Sequence, residues 1–377
     1  MSHRILSRAA LGAALVAFVA LHLPVNAEAA DALKTRNVVL IVSDGLRWQE
    51  IFTGADPTLL NEKHGGIWDK EADLRREFWR DDPQERRKAL FPFLWTTVAT
   101  RGQIFGNRTL GSKAQVTNGR AFSYPGYNEM LTGHADARID SNEFGPNPNI
   151  SVFEWLNSLP ELQGHVNVFA TWATFKDIFN VSRSHLPLQV GWDLPYQGTP
   201  DARQQVVNRL YQSTTRLDDE DVYDAFMQVA LLDFLPTHQS RVLFVGYGET
   251  DNWAHAGRYD LVLHSAHLFD QFVEELWNTL QRLPAYRDQT TFIITTDHGR
   301  GSGLSQWKEH GVEEPGSENI WIAVMGPDTA ALGERRHTPE VHQAQIAATV
   351  AALLGKDYRH AVPVAAAALP DVVGKSP

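Results

Sequence analysis

Six carboxylate and imidazole side chains stand in short, separate stretches of the sequence and are of the types that bind metals. They are Asp44, Asp251, His255, Asp297, His298 and His310. One Asp–His pair is four residues apart and another is adjacent. Each stretch is weak by itself, but three aspartates and three histidines together match two neighbouring divalent cations, which clamp the attacking and leaving oxygens of a displacement.

The absence of cysteine restricts the metal. No Cys occurs among the 377 residues, so thiolate nucleophiles, zinc fingers and iron–sulfur clusters are excluded. Imidazole and carboxylate without thiol favour Zn²⁺, leave Mn²⁺ and Fe open, and argue against an all-oxygen Ca²⁺ cage. We therefore expect two divalent metal ions as cofactors, with zinc favoured and manganese as the alternative.

The elements that must position these ligands are short apolar runs. The runs span residues 37–43, 241–247, 291–296 and 320–325. The first three end at or just before Asp44, Asp251 and Asp297. Helical patterns lie between the runs at 219–235 and 259–283 and after the last run at 340–354. Strands that alternate with long helices predict an α/β fold, with a mostly parallel sheet covered on both faces. Ligands of such sheets bind beyond the carboxyl ends of the strands.

Ser123 is a candidate nucleophile. It follows a loop rich in Gly, Asn and Thr and opens the stretch Ser-Tyr-Pro-Gly-Tyr-Asn-Glu-Met-Leu-Thr, which predicts a turn that leads into a short helix. Unpaired N–H groups at a helix N-terminus favour an anion. A simple capping role for Ser123 is the alternative. A serine hydroxyl is a poor nucleophile unless a base or a cation lowers its pKa, and the sequence shows no base close to Ser123.

The order of these motifs resembles the alkaline phosphatase superfamily. The motifs run from Asp44 after an apolar strand, through Ser123-Tyr-Pro before a Leu-Thr-Gly helix, to Asp251-x-x-x-His255, Asp297-His298-Gly and His310. The resemblance covers about residues 37–355. It implies a three-layer α/β/α sandwich and a metal-dependent hydrolase of phosphoric esters.

The resemblance also implies individual roles. It assigns Asp44, Asp297 and His298 to one metal, which also holds the oxygen of Ser123. It assigns Asp251, His255 and His310 to the other. Ser123 stands where the family has its Ser or Thr nucleophile, so the resemblance implies a phosphoserine intermediate and, through two inversions, net retention at phosphorus. A phosphomonoesterase and a phosphodiesterase both remain open.

Departures from the family pattern bear on the alternatives. A sulfatase needs Arg four residues after the nucleophile position for formylglycine formation, and this chain has Tyr127 there. A phosphonate-ester hydrolase, a phosphoglycerate mutase-like enzyme and a non-catalytic metal-binding or ligand-binding protein stay as further alternatives. The diesterase branch commonly has an Asn directly after the Pro, whereas Gly126 follows it here. The substrate-binding residues therefore remain unassigned, although Asn118, Arg120, Asn128 and Lys176 are candidate phosphate contacts.

Composition and the N-terminus bear on partners and location. Lys and Arg total 34 against 45 for Asp and Glu, which gives a net charge of −11 and argues against a nucleic-acid scaffold as partner. Residues 1–30 combine Arg4 and Arg8 with an apolar run and small residues, as in a signal peptide. We expect a periplasmic or secreted protein with no membrane span after cleavage, a small-molecule phosphoester substrate, and a single catalytic domain, 31–377. Insertions are expected at about 57–100 and 180–215. The charged stretch 57–101 predicts a solvated helix face, and 180–200 predicts a long loop or an insertion near the site.

Overall fold

The first apolar run forms a strand that is buried along its whole length. In the computed structural model, which describes Met1 and residues 33–374, all seven residues of Asn37–Ser43 are buried. Both faces of this strand must therefore be covered, as its uninterrupted apolar sequence predicts. The proposed signal peptide, 1–30, lies outside the described residues except for Met1. Residues from Leu33 onward belong to one compact unit.

The described strands form a large sheet and a small one. Their bounds are β1 Asn37–Ser43, β2 Gln103–Phe105, β3 Ala114–Gln115, β4 Val166–Ala170, β5 Leu188–Val190, β6 Val242–Tyr247, β7 Thr290–Thr295, β8 Asn319–Ile320, β9 Ile322–Met325, β10 Gly333–Glu334 and β11 Val341–His342. The large sheet has the order β10-β2-β9-β7-β1-β6-β4-β5 and the small sheet β11-β3-β8. In the large sheet β9 runs antiparallel to both of its neighbours, and the other pairings are parallel.

Helices cover both faces of the large sheet. The α-helices are α1 Trp48–Thr53, α2 Glu62–Gly65, α3 Glu71–Phe78, α4 Pro83–Leu90, α5 Ala99–Arg101, α6 Ser123–Thr132, α7 Val152–Asn157, α8 Phe175–Ile178, α9 Val181–Ser184, α10 Ala202–Ser213, α11 Asp224–Phe234, α12 Glu249–His255, α13 Tyr259–Arg282, α14 Gln345–Leu353 and α15 Tyr358–Ala361. A π-helical turn spans Leu94–Val98, and 3-10 helices span Arg108–Leu110 and Gln306–Lys308. No helix of the described residues is both long and apolar enough to cross a membrane.

Strand β1 separates two hydrophobic cores. Val39 and Ile41 point to one core, which α13 closes with Leu263, Phe269 and Leu276. Val38, Leu40 and Val42 point to the opposite core, which includes apolar residues of α6, α7 and α14. Because successive side chains of a strand face opposite sides, this split establishes three layers with the sheet in the middle. The predicted α/β/α fold class is confirmed.

Several local predictions differ from the structure. The pattern at 340–354 predicts one helix, but β11 occupies Val341–His342 and the helix begins at Gln345. The stretch 180–200 contains α9 and β5, which pairs with β4, rather than a long loop. In the charged stretch 57–101, Arg86 and Arg87 are buried rather than solvated. Their guanidinium groups lie over the rings of Trp79 and Trp95, at 4.1 and 3.4 Å, which compensates the loss of water.

Candidate metal centre and active site

Three adjacent central strands position five of the six proposed metal ligands, and His310 lies in the connection between the 3-10 helix Gln306–Lys308 and β8. Strand β1 pairs with β6 on one side and with β7 on the other. Asp44 directly follows β1, and Asp297 and His298 follow β7 after one residue. Asp251 and His255 lie on α12, which begins two residues after β6. The ligands meet because the carboxyl ends of parallel neighbouring strands lie at one edge of the sheet.

Two glycines permit the close approach of these elements. Gly45 has φ +59°, and a Cβ there would lie 2.6 Å from Asp251 Oδ1 and 2.9 Å from Arg300 Nε. Gly126, in the first turn of α6, packs so closely that a Cβ would lie 2.5 Å from the carbonyl oxygen of Asp297. A larger residue at either position would push α6 or the end of β1 away from the cluster of proposed ligands.

The structure brings all six predicted ligands together. His298 Nε2 lies 3.3 Å from Asp44 Oδ1, 3.5 Å from Asp297 Oδ2 and 3.9 Å from Asp251 Oδ1. His310 Nε2 lies 2.9 Å from His255 Nε2 and 3.7 Å from Asp251 Oδ1. Ligand atoms of Asp251, His255 and His310 lie within 4.8 Å of one another, and so do those of Asp44, Asp251 and His298. Asp251 thus lies between the two groups.

The donor set fits divalent cations. Asp44 Oδ1 and Asp297 Oδ2 are buried and have no hydrogen-bond partner among the described residues. A buried carboxylate oxygen without a partner is costly unless a cation binds it. His298 Nδ1 lies 2.8 Å from the carbonyl oxygen of Gly299, which directs Nε2 toward the carboxylates. These features support the use of a metal.

Burial and the crowding of carboxylates together shift the pKa values of Asp297 and His298. Burial and the neighbouring Asp44 raise the pKa of Asp297 to about 8. Burial disfavours the charged form of His298, but the carboxylates of Asp297 and Asp44 raise its pKa to about 9. Burial lowers the pKa of His255 and of His310, so both imidazoles are neutral as metal ligation requires. A bound cation would relieve the repulsion between the carboxylates.

Ser123 lies at the first position of α6, at the edge of this cluster. Its Oγ is 3.3 Å from His298 Nε2, and the residue is buried. The cluster of proposed ligands opens into a cavity of 540 Å³. The wall of this cavity includes Ser123, Asp44, Asp251, His255 and His310. The hydroxyl is therefore accessible to a ligand in the cavity although little of it contacts bulk solvent.

The candidate phosphate contacts are not found in the cavity wall. Asn128 is fully buried, and its side chain bonds to His134, Asn147 and Asn149. Asn118 donates to Glu129 and accepts from the backbone N–H groups of Arg120 and Ala121, just before α6. Lys176 pairs with Asp193 at 2.7 Å on the surface. Arg120 also lies outside the residues that line the cavity.

Two residues of the site were missed in the sequence. Arg300 is buried, and its guanidinium bonds to the Asp251 carboxylate and to the carbonyl oxygen of Lys308. Burial lowers its pKa to about 9. Asp221 lines the cavity, and burial together with nearby Asp218 and Asp44 raises its pKa to about 8. The position of Arg300 directly after Asp297-His298-Gly299 could have indicated that it belongs to the site. Asp221 lies in the acidic run 218–221, where no local pattern distinguishes it from its neighbours.

Comparisons with known proteins address the resemblance. Residues 203–358 match the model of the Metalloenzyme superfamily. A search of curated proteins finds no match. Among solved structures, the phosphonate monoester hydrolase SpPMH from Silicibacter pomeroyi is 13% identical with a TM-score of 0.51, over 91% of this chain and 78% of that one. The predicted resemblance to the alkaline phosphatase superfamily is confirmed.

Two further structures share this alkaline phosphatase-like fold. The lipoteichoic acid synthase LtaP from Listeria monocytogenes is 12% identical with a TM-score of 0.52, over 87% of this chain and 74% of LtaP. Ps i-CgsB in complex with k-i-k-neocarrahexaose is 15% identical with a TM-score of 0.52, over 89% of this chain and 75% of that one. At these identities the likeness establishes the fold, and the family match together with the ligand cluster supports the use of a metal.

Proposed function

We propose that this chain is an exported two-metal phosphoester hydrolase that acts through a phosphoserine intermediate on Ser123. The observation that carries the proposal is the position of the Ser123 hydroxyl, 3.3 Å from His298 Nε2 at the start of α6, beside the unpartnered oxygen of Asp44. A metal-binding protein without catalysis has no need of a hydroxyl at this point of the cavity.

We assign the ligands as the resemblance implies. Asp44, Asp297 and His298 would hold one cation, and Asp251, His255 and His310 the other. Zinc is the preferred metal and manganese the alternative, because the donors are carboxylates and imidazoles without thiols. When bound, the two cations lower the pKa of the serine hydroxyl and offset negative charge on the oxygens of the reacting phosphoryl group.

The chain's own groups provide the remaining steps. Ser123 Oγ loses its proton and forms a bond to phosphorus while the bond from phosphorus to the leaving alcohol oxygen breaks, and that oxygen takes up one proton and leaves as the alcohol. Water then attacks phosphorus, the bond from phosphorus to Ser123 Oγ breaks, the phosphate product leaves with the oxygen of the water, and Ser123 Oγ regains a proton. His298 is the one titratable side chain within hydrogen-bond distance of Ser123 Oγ in the described residues. Because His298 is also a proposed ligand, the cations that it would help to hold would supply the activation of the hydroxyl.

The sulfatase alternative is disfavoured by the surroundings of Tyr127. Formylglycine formation requires Arg at this place, but Tyr127 is buried and donates its hydroxyl to Asp44 Oδ2 at 2.9 Å. The aromatic ring packs against Phe175 and Phe244, with centroid distances of 4.6 and 6.2 Å. Tyr127 therefore belongs to the support of the proposed centre. We retain a phosphonate ester as a substrate to be tested beside phosphate esters.

The deciding experiment combines variants of Ser123 with a panel of substrates. Ser123→Ala, Ser123→Thr and the surface control Ser213→Ala are assayed with Zn²⁺ or Mn²⁺ on an aryl phosphate, a bis-aryl phosphate, a phosphonate ester and an aryl sulfate. We expect phosphate ester hydrolysis, a loss of at least about 1,000-fold in Ser123→Ala, and measurable activity in Ser123→Thr.

The covalent step has its own readout. Mass spectrometry of acid-quenched wild type should detect a phosphorylated peptide that spans residues 121–130. Near wild-type rates in Ser123→Ala would contradict covalent catalysis, and preference for the aryl sulfate would contradict the phosphoester assignment. Sequencing of the N-terminus of protein recovered from the periplasm or medium tests cleavage near residue 30.

A further inference from the structure

The outer part of the catalytic cavity is acidic and contains no basic side chain. Beyond the proposed metal ligands, its lining includes four carboxylates, Glu143, Asp177, Glu220 and Asp221. No Lys or Arg is among the described residues that line it. A substrate must therefore place its reacting phosphoryl group at the cations and the rest of its structure against negative charge.

These carboxylates are not neutralised by neighbouring cationic residues. Lys176, next to Asp177 in sequence, pairs instead with Asp193 at 2.7 Å. Arg216 pairs with Asp219 at 3.4 Å. Within residues 33–374, no ion pair joins Glu143, Asp177, Glu220 or Asp221 to a basic side chain. Glu143, Asp177 and Glu220 therefore leave negative charge available to a ligand. Burial raises the pKa of Asp221, and a cation bound beside this carboxyl would favour its ionised form.

An aromatic side chain lies among the carboxylates. Trp172 lines the cavity, and its Nε1 donates a hydrogen bond to Glu220 Oε2 at 2.8 Å. An isolated antiparallel bridge joins the backbone of Trp172 to that of Asp221. The indole also makes an edge contact with the buried ring of Phe175, at 6.2 Å between centroids. These contacts fix the indole next to the Glu220 carboxylate and pair the backbone of Trp172 with that of Asp221.

The inner end of the same cavity indicates a ligand independently. Asp44 is 8% exposed, and its Oδ1 has no hydrogen-bond partner among the described residues. The cavity therefore joins a reacting end, with Ser123 and the proposed ligands, to an outer end where an indole and several carboxylates meet. An aromatic face with nearby negative charge is the arrangement that binds quaternary ammonium groups.

We propose that the substrate is a phosphoester whose alcohol carries a permanent positive charge, and that Trp172, Glu220 and Asp221 bind this cationic group. The inference rests on the proposed phosphoester hydrolase function and adds the class of substrate. A phosphoester of a quaternary amino alcohol has the required chemistry. Polyanionic substrates are disfavoured because the outer carboxylates repel them.

The test compares two substrates of the same shape. Phosphocholine and 3,3-dimethylbutyl phosphate differ by the replacement of the charged nitrogen with carbon. We expect wild type to prefer phosphocholine by about tenfold or more in kcat/KM. Asp221→Asn and Glu220→Gln should each reduce this ratio, and each should lower hydrolysis of phosphocholine by more than hydrolysis of an aryl phosphate, whose leaving group is uncharged. Asp219→Asn, which removes an exposed acid outside the cavity, should leave the ratio unchanged.

The outcomes separate this inference from the proposed function. Hydrolysis of the aryl phosphate with equal rates on the two matched substrates would overturn the cationic subsite and leave the phosphoester hydrolase intact. If no phosphoester is hydrolysed, the proposed function fails, and calorimetric titration with choline tests the subsite directly. Choline binding that Glu220→Gln weakens would support it, and no binding to wild type would overturn it. Because Glu220 is exposed, we expect Glu220→Gln to fold even if Asp221→Asn does not.

Discussion

Tyr127 donates its buried hydroxyl to Asp44 Oδ2 at 2.9 Å, which ties the helix that begins at Ser123 to the end of β1. The bond orients one proposed metal ligand and fixes its distance from the proposed nucleophile. A group that hydrogen-bonds to a metal-ligating side chain affects how strongly that side chain binds the metal. Tyr127 is therefore a positioning residue rather than a catalytic one.

The first prediction concerns this bond. Tyr127→Phe should weaken metal affinity about tenfold to 100-fold, because Asp44 loses the partner that orients it. Metal affinity is measured by competition with a chromophoric chelator. Tyr124→Phe is the matched control, since Tyr124 lies on the same helix and donates its hydroxyl to the carbonyl oxygen of Gly145. An equal loss in both variants would show a general packing effect.

The second prediction concerns metal content. Protein purified without chelator should contain about two equivalents of divalent metal, and Asp297→Ala should contain fewer, because Asp297 is a proposed ligand with a buried, unpartnered oxygen. Elemental analysis measures both proteins. Asp219→Ala serves as the control for loss of an exposed acid. Full metal content in Asp297→Ala would refute the assignment.

The third prediction separates His310 from the downstream histidines. His310 lies 2.9 Å from His255 Nε2, whereas His337 is exposed and does not line the cavity. His310→Ala should lose metal and activity, and His337→Ala should retain both. The two variants are compared by elemental analysis and by aryl phosphate hydrolysis. Loss of metal in His337→Ala alone would contradict the ligand set.

The fourth prediction concerns stability and pH. The carboxylate of Asp270, on α13, accepts hydrogen bonds from the backbone N–H groups of Phe93 and Leu94 at 2.7 and 2.8 Å. Burial nevertheless raises its pKa to about 7 from an ordinary value of 3.8. Between pH 3.8 and about 7, the Asp270 carboxyl is protonated in the folded state and ionised in the unfolded state. The contribution of Asp270 to the free energy of unfolding therefore falls as pH rises.

Denaturant unfolding measures this dependence. Wild type should lose stability relative to Asp270→Asn as pH rises from about 4 to about 7, by at most about 4 kcal/mol for a shift of this size. Above pH 7 the difference should become constant. The control Asp219→Asn should show no such trend against wild type. A difference between wild type and Asp270→Asn that does not change with pH would rule out the raised pKa.

The central strands were predictable from the sequence because each is a nearly uninterrupted apolar run. Strands β1, β6 and β7 are buried on both faces, and polar residues follow where each strand ends. Strand β5 was not predicted, since it has only three residues directly after Pro187. Asp221 could not be assigned because its position depends on the bridge with Trp172, 49 residues away, which no local pattern encodes.

The sheet order separates two parts of the molecule that could evolve at different rates. Five of the six proposed ligands come from the ends of β6, β1 and β7, which are hydrogen-bonded neighbours at the centre of the sheet. The outer cavity wall comes from the connections around residues 142–145, 171–177 and 220–221. Replacement of these connections would leave the central hydrogen-bond ladder intact. Selection could therefore exchange the part of the substrate that the outer wall binds while the proposed metal centre is inherited unchanged.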